Sequence, residues 1–259
     1  MAGRETADIV FCMDASGSMS PTFEGVRNHV LELLDSLKTD LQRSWDVRFD
    51  FLAYKTAYNC DGKAGMVFDT VKKRNMEVLD GLYRGSGDVN GGSSSGFFTS
   101  DVNVFRTALQ KVECDGDETS APAIDMAADF PFRDAATCHR VVILLTDERM
   151  EDGTCVQKSN SKLAKLTEKL QNRGIMLYMV TPQSDMYDTL SQTDKSEWMV
   201  VSDNSGGLSN VDFGKLMKAI GKSVSVSQTG KGAAADPNPL FNETKWSDSG
   251  ECVKTDMEE

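Results

Sequence analysis

Three oxygen-bearing side chains stand at alternate positions in the run Asp14-Ala15-Ser16-Gly17-Ser18-Met19. Carboxylate and hydroxyl oxygens are hard donors, which suit Mg²⁺, Mn²⁺ or Ca²⁺ rather than zinc. In a tight loop alternate residues project to the same side, so Asp14, Ser16 and Ser18 can share one ion, and Gly17 lets the loop turn closely. A second carboxylate, Asp147, closes the run Leu144-Leu145-Thr146-Asp147. A third segment, Asp115-Gly116-Asp117-Glu118-Thr119, can add another oxygen or remain a solvated acidic loop; Asp115 and Asp117 holding a second ion is a further option. The competing reading of Asp14 and Ser16 is a cap on the helix that follows.

The elements that must position these residues are legible in the hydrophobic pattern. Ile9-Val10-Phe11-Cys12-Met13 is a short continuous apolar run ending at Asp14, which suits a strand buried on both faces. Phe23, Val26, Val30, Leu33, Leu34, Leu37 and Leu41 place one apolar face on a helix, with Ser20-Pro21 as its start. Val141 to Thr146 is the strongest strand, and Asp147 follows it directly. In open α/β sheets, sites form beyond the carboxyl ends of parallel strands. If these two strands are neighbours, Asp14 and Asp147 converge.

The rest of the chain continues the alternation. Val47, Phe49, Phe51 and Ala53 point one way and Arg48 and Asp50 the other, which predicts a strand near a sheet edge. Lys63 to Val71 suggests another strand, and Met76 to Tyr83 a short helix. Helices are expected around Phe105–Val112, around Ile124–Ala128 and over Leu163–Leu170, the last capped by Gly174. Strands are expected at 175–180 and 198–201, and a final helix runs through Phe213, Leu216, Ile220 and Val224. The fold class is therefore α/β: a Rossmann-like, doubly wound, mostly parallel sheet with helices on both faces. One antiparallel strand within 47–71 is compatible with it. The first domain is expected to span 1–227, and the Pro- and Gly-containing tail 228–259, with three lysines against seven acids, reads as poorly ordered. Pro239-Leu240-Phe241 and Trp246 in it suit either a docking motif or a segment packed on the domain. Phe97 and Phe98, after the Gly/Ser-rich stretch 85–96, either anchor that loop on the core or offer aromatic contacts to a partner.

Composition narrows the function. The 259 residues carry a net charge of -12, which argues against nucleic acid or an anionic membrane as a partner. That acidity serves solubility, or it suits a basic partner or a cation. Six scattered cysteines without a CxxC pair, and two histidines, argue against a zinc site or a disulfide scaffold. The polar start, Met1 to Asp8, lacks the apolar stretch of a secretion signal, so a cytoplasmic location is expected.

Asp14-Ala15-Ser16-Gly17-Ser18-Met19 after an apolar strand resembles the metal-ion-dependent adhesion site of von Willebrand factor A domains, and Leu144-Leu145-Thr146-Asp147 resembles that family's last metal motif. The resemblance implies that Ser16 and Ser18 bind the ion directly, that Asp147 is often bridged through water, and that an acidic side chain of a partner protein completes the octahedron. A middle loop would supply Glu118 or Thr119. Six residues before Ile124 stands Glu118, where the common family version has threonine; Thr119 is one position off. With Thr119 the ion stays receptive to an acidic partner; with Glu118 it is held more strongly and attracts that partner less. The function implied is a Mg²⁺-dependent protein-binding module, with specificity set by loops at 55–65, 85–103 and 148–160. The nearest analogy is an intracellular, bacterial-type, stand-alone member working beside a kinase, phosphatase or ATPase in a stress-response or signalling system. No enzyme is expected: there is no GxGxxG or Walker motif, and Ser16 stands where a haloacid-dehalogenase phosphatase needs a second aspartate. The alternatives are such a Mg²⁺-dependent phosphatase and a structural subunit with a merely stabilising ion.

Overall fold

The computed structural model describes residues 4–37, 44–58, 64–69, 71, 76–78, 97–116, 120–150, 160–202 and 206–227. Seven strands form one sheet: β1 (Arg4–Asp14), β2 (Ser44–Tyr58), β3 (Ala64–Asp69), β4 (Met76–Val78), β5 (His139–Leu145), β6 (Ile175–Pro182) and β7 (Ser196–Val201). Their order is β4-β3-β2-β1-β5-β6-β7. β2, β1, β5, β6 and β7 run parallel, and β3 and β4 extend the β2 side as antiparallel strands. The helices are α1 (Ser20–Leu37), α2 (Val102–Leu109), α3 (Ser120–Ala128), α4 (Asn160–Asn172), α5 (Asp185–Ser191) and α6 (Phe213–Val226).

The apolar run of β1 explains the layering. Ala7, Ile9, Phe11 and Met13 face one core with α1, α2 and α6, while Val10 and Cys12 face a second core with α3, α4 and α5. All six side chains are fully buried. Each large one contributes about 1.5–3 kcal/mol of transfer free energy. A strand buried on both faces has no position for a solvated residue until it ends, so the polar run begins at Asp14. The chain leaves β1 towards β2 on one side and continues from β5 towards β6 and β7 on the other. The order therefore reverses between β1 and β5, and in α/β sheets the crevice at such a switch point receives ligands. Met13 pairs with Leu145, which puts Asp14 and the residues after β5 side by side there.

Two sequence expectations are corrected. β2 is not near the edge: β1 flanks it on one side and β3 on the other. Asp50 and Arg48, expected to face water, find partners inside the fold. Asp50 is fully buried and accepts from the backbone N–H groups of Phe51, Val71 and Phe98 at 2.8, 3.0 and 2.8 Å. Arg48 binds the carboxylate of Asp8 through Nε and Nη2 at 2.8 and 2.6 Å. Met76–Val78, expected to begin a helix, is instead the edge strand β4, paired with β3. The other expected helices and strands are present, and Gly174 adopts φ 63° just after α4. The tail 228–259, with Pro239–Phe241 and Trp246, lies outside the described residues, as does the whole Gly/Ser-rich stretch 85–96. No helix among the described residues is long and apolar enough to cross a membrane.

Candidate metal centre

Backbone bonds first fix the loop that leaves β1. Ala15 N–H donates to the carbonyl of Tyr54 at 2.8 Å, and Ala15 O accepts from Asp115 N–H at 2.9 Å. Asp14 Oδ1 accepts from Ser16 N–H at 2.7 Å, and Met19 N–H closes a 3₁₀ turn onto Ser16 O at 3.1 Å. Ser16 makes no side-chain capping bond, so the helix-cap alternative does not describe its hydroxyl. That hydroxyl lies 3.5 Å from Ser18 Oγ, and Ser18 Oγ donates to Asp147 Oδ1 at 3.1 Å. Side chains 129 residues apart in sequence thus share one patch.

Each carboxylate is oriented by neutral donors. Thr146 Oγ1 donates to Asp14 Oδ2 at 2.8 Å. Gly206 and Gly207 N–H groups donate to Asp147 Oδ2 at 3.2 and 2.9 Å. Gly207 O accepts from Thr22 Oγ1 at 2.5 Å, which ties this second loop to α1. Gly207 needs φ 57°, and a Cβ there would stand 2.0 Å from Ser18 O. Only glycine fits between the two loops.

Asp14 is fully buried, Asp147 and Ser16 nearly so, while Gly17 is exposed and Ser18 half-buried. The patch therefore opens to solvent on the serine side. Burial pushes the Asp14 carboxyl up to about 6 against the bonds from Ser16 and Thr146, and the charge of Asp147 adds to the rise. Two converging carboxylates in a poorly solvated crevice are electrostatically costly without a countercharge, and a bound dication inverts that balance.

The donors fit a hard cation. Ser16, Ser18 and Asp147 offer oxygens from one patch, and Asp14 joins them with Oδ1 bound to the Ser16 N–H of the serine loop and Oδ2 to the Thr146 hydroxyl after β5. Among the described residues no three His, Cys, Asp or Glu side chains converge on a metal-binding cluster, because two of the donors here are hydroxyls. Asp117, Glu118 and Thr119 lie outside the described residues. Asp115 is brought to the rim, where its largely exposed carboxylate pairs with Lys55. Beside Asp147 a cavity of about 300 Å³ is lined by Met199, Val201, Leu208 and Val211 among others.

Phe97 and Phe98 are core residues, at 2% and 5% exposure, so the aromatic-contact alternative fails for them. Both rings pack edge-on to Phe130, and Arg48 lies 4.8 Å over Phe98. The sequence reading passed over Thr146 as a partner of Asp14, and Thr22, Gly206 and Gly207 entirely. The Gly206-Gly207 pair after a strand on the carboxyl side of the sheet was the available signal. Neither histidine is near the patch: His29 pairs with Glu32 on α1, and His139 begins β5 at the sheet's other end, bonded to Ser227.

No protein-family model and no curated protein matches the sequence. Among solved structures the chain is similar to a von Willebrand factor type A protein from Catenulispora acidiphila, at 13% identity and a TM-score of 0.49, covering 87% of this chain and 44% of that one. It is also similar to the pilus adhesin SpaC from Lactobacillus rhamnosus GG in its open conformation, at 14% identity and a TM-score of 0.48, covering 85% of this chain and 30% of that one. A further form of that adhesin gives 12% identity and a TM-score of 0.49, over 86% and 31%. The chain spans less than half the length of each of these three structures.

Proposed function

We propose that the protein binds one divalent cation, Mg²⁺ in the first instance with Mn²⁺ or Ca²⁺ as substitutes, and through it grips a partner protein. The observation that carries this reading is the convergence of Ser16, Ser18 and Asp147 at the switch point of the sheet. Asp14, Ser16, Ser18 and Asp147 would hold the ion, with Glu118 or Thr119 as a further donor, and Asp14 would also orient the serine loop. When bound, the ion would supply Lewis acidity at a patch whose Ser18 side faces solvent. An acidic side chain of the partner is the group that suits it, since a carboxylate oxygen is a hard ligand. The residues of this chain do the positioning: Asp14 sets the loop, and Gly206 and Gly207 aim Asp147.

This reading makes the protein a binding module rather than an enzyme; among the described residues neither histidine stands at the patch. A stress-response or signalling assembly is the setting proposed for it, from analogy alone.

The test is capture of binding proteins by the immobilised chain in Mg²⁺ and in chelator, beside Ser18→Ala. A partner retained in Mg²⁺, released by chelator and lost from the variant supports the reading. Equal recovery in all three conditions refutes it.

A further inference from the structure

Two consecutive residues of β2 hold both flanks of the acidic segment that runs from Asp115 to α3. Lys55 extends its ammonium to the carbonyl of Glu113 at 3.3 Å and to the carboxylate of Asp115. Asp115 N–H is bound in turn to Ala15 O, within the serine loop, at 2.9 Å. Gly116, at φ 74°, turns the chain directly afterwards. On the other flank, the fully buried Tyr54 hydroxyl lies 2.9 Å from Ser120 Oγ, at the first residue of α3. The carbonyl of the same Tyr54 accepts from Ala15 N–H at 2.8 Å. Successive strand residues project to opposite faces, which is how neighbours reach both flanks at once.

The cation site as read above needs oxygens from separate segments in fixed relative positions. Asp14 and Ser16 belong to a loop whose Ala15 is bound on both sides, by Tyr54 and by Asp115. We infer that Tyr54 and Lys55 are positioning residues of the cation site: they lock the Asp115 and Ser120 flanks to the loop carrying Asp14, Ser16 and Ser18. This rests on the cation-binding reading and names residues that touch no ion. Residues 117–119, which join the flanks, are outside the described residues, and the assignment uses only the flanks.

Lys55 offers a discriminating sign. A lone positive charge near the rim repels a dication, so its removal by itself would tighten cation binding. A positioning role predicts the reverse. Outer partners of metal ligands are typically worth about 10–100-fold in metal affinity.

The experiment is Mn²⁺ titration calorimetry on the full chain and on Lys55→Met, Lys55→Arg and Tyr54→Phe, with hydrogen exchange at the Asp115 amide and thermal melts in chelator. Lys55→Met and Tyr54→Phe should each weaken Mn²⁺ binding about tenfold. Lys55→Arg, which keeps charge and donors, should hold wild-type affinity. Melting in chelator should stay unchanged for Lys55→Met and fall modestly for Tyr54→Phe, which takes a buried bond from Ser120, and the Asp115 amide should exchange faster in Lys55→Met. Wild-type or tighter Mn²⁺ binding by Lys55→Met and Tyr54→Phe overturns the assignment while leaving the cation reading intact. Faster exchange at Asp115 with unaltered affinity overturns it too, since the clamp would then order the segment without serving the site. A wild-type chain that binds no Mn²⁺ removes the reading and the assignment together.

Discussion

Asp8 and Asp14 lie on the same strand, and both are fully buried, yet they are treated in opposite ways. Asp8 is met by two guanidinium groups. Arg48 binds it through two nitrogens, and Arg133 adds its Nε at 2.9 Å and its backbone N–H at 2.7 Å. Burial alone would raise the Asp8 carboxyl, but these bonds more than offset it and hold it below the ordinary value. Among the described residues Asp14 meets neutral donors, the Ser16 N–H and the Thr146 hydroxyl among them, stands near Asp147, and is raised to about 6. One end of β1 carries its countercharge in the chain. At the other end, hydroxyls and a second carboxylate sit where a countercharge is needed. Asp50 is also a buried carboxylate held by N–H groups, but Asp14 differs in having a second carboxylate beside it at the switch point, and a raised carboxylate in a crevice is a pattern common at functional sites.

The comparison can be broken at either end. The largest effect is expected from Asp8→Ala, which strips the partner from Arg48 and Arg133 and should cost about 3–5 kcal/mol in urea unfolding, with or without Mg²⁺. Asp14→Asn should show no such loss in chelator. At a cation concentration of 100 times Kd, wild type should gain about 2.7 kcal/mol, and Asp14→Asn and Ser16→Ala should lose most of that gain; calorimetric melts with and without Mg²⁺ read it. Gly207→Ala should cost about 2 kcal/mol in the same melts, since its backbone is left-handed and Ser18 O blocks the new methyl.

The smallest effect is in pH, and its sign differs between the two aspartates. The folded Asp14 carboxyl, near 6 against 3.8 for the ordinary value, binds its proton more tightly than in the unfolded chain. Its burial therefore costs stability in full above pH 6, and the cost is relieved as pH falls from 6 towards 3.8. Between pH 7 and 5 in chelator this amounts to about 1.4 kcal/mol gained. Asp8, held below 3.8, contributes stability above that value and loses it as pH falls through its lowered one. Replacing Asp14 by Asn should abolish the gain between pH 7 and 5, measured by urea midpoints. Cation affinity should weaken over the same window, because the proton competes.

Much of this was legible in the chain. Buried parallel strands such as β1, β5 and β6 leave near-continuous apolar runs, and the polar residues that end them are conspicuous for that reason. Asp14, Ser16, Ser18 and Asp147 were found from this alone, and the switch point brings them together. Where polar residues are satisfied inside the fold, the same logic misleads. Arg48 and Asp50 look like a solvated face, but their partners come from Asp8, Val71 and Phe98, none of which local spacing can reveal. β4 is only three residues long and is a strand through its pairing with β3, which no local period announces. α5 went unread because seven residues around Met186, Tyr187 and Leu190 make too short a pattern. Gly206 and Gly207 act through backbone N–H groups, which every residue but proline carries.

The central claim is that Ser16, Ser18 and Asp147 hold a single hard dication. Titrating Mn²⁺ into the wild-type chain and into Ser18→Ala, with free ion counted by its six-line electron paramagnetic resonance spectrum, tests it most directly. The account predicts one bound ion per wild-type chain and at least about tenfold weaker binding by the variant. Undiminished signal from free Mn²⁺ in the wild type, or equal binding by both proteins, would contradict it.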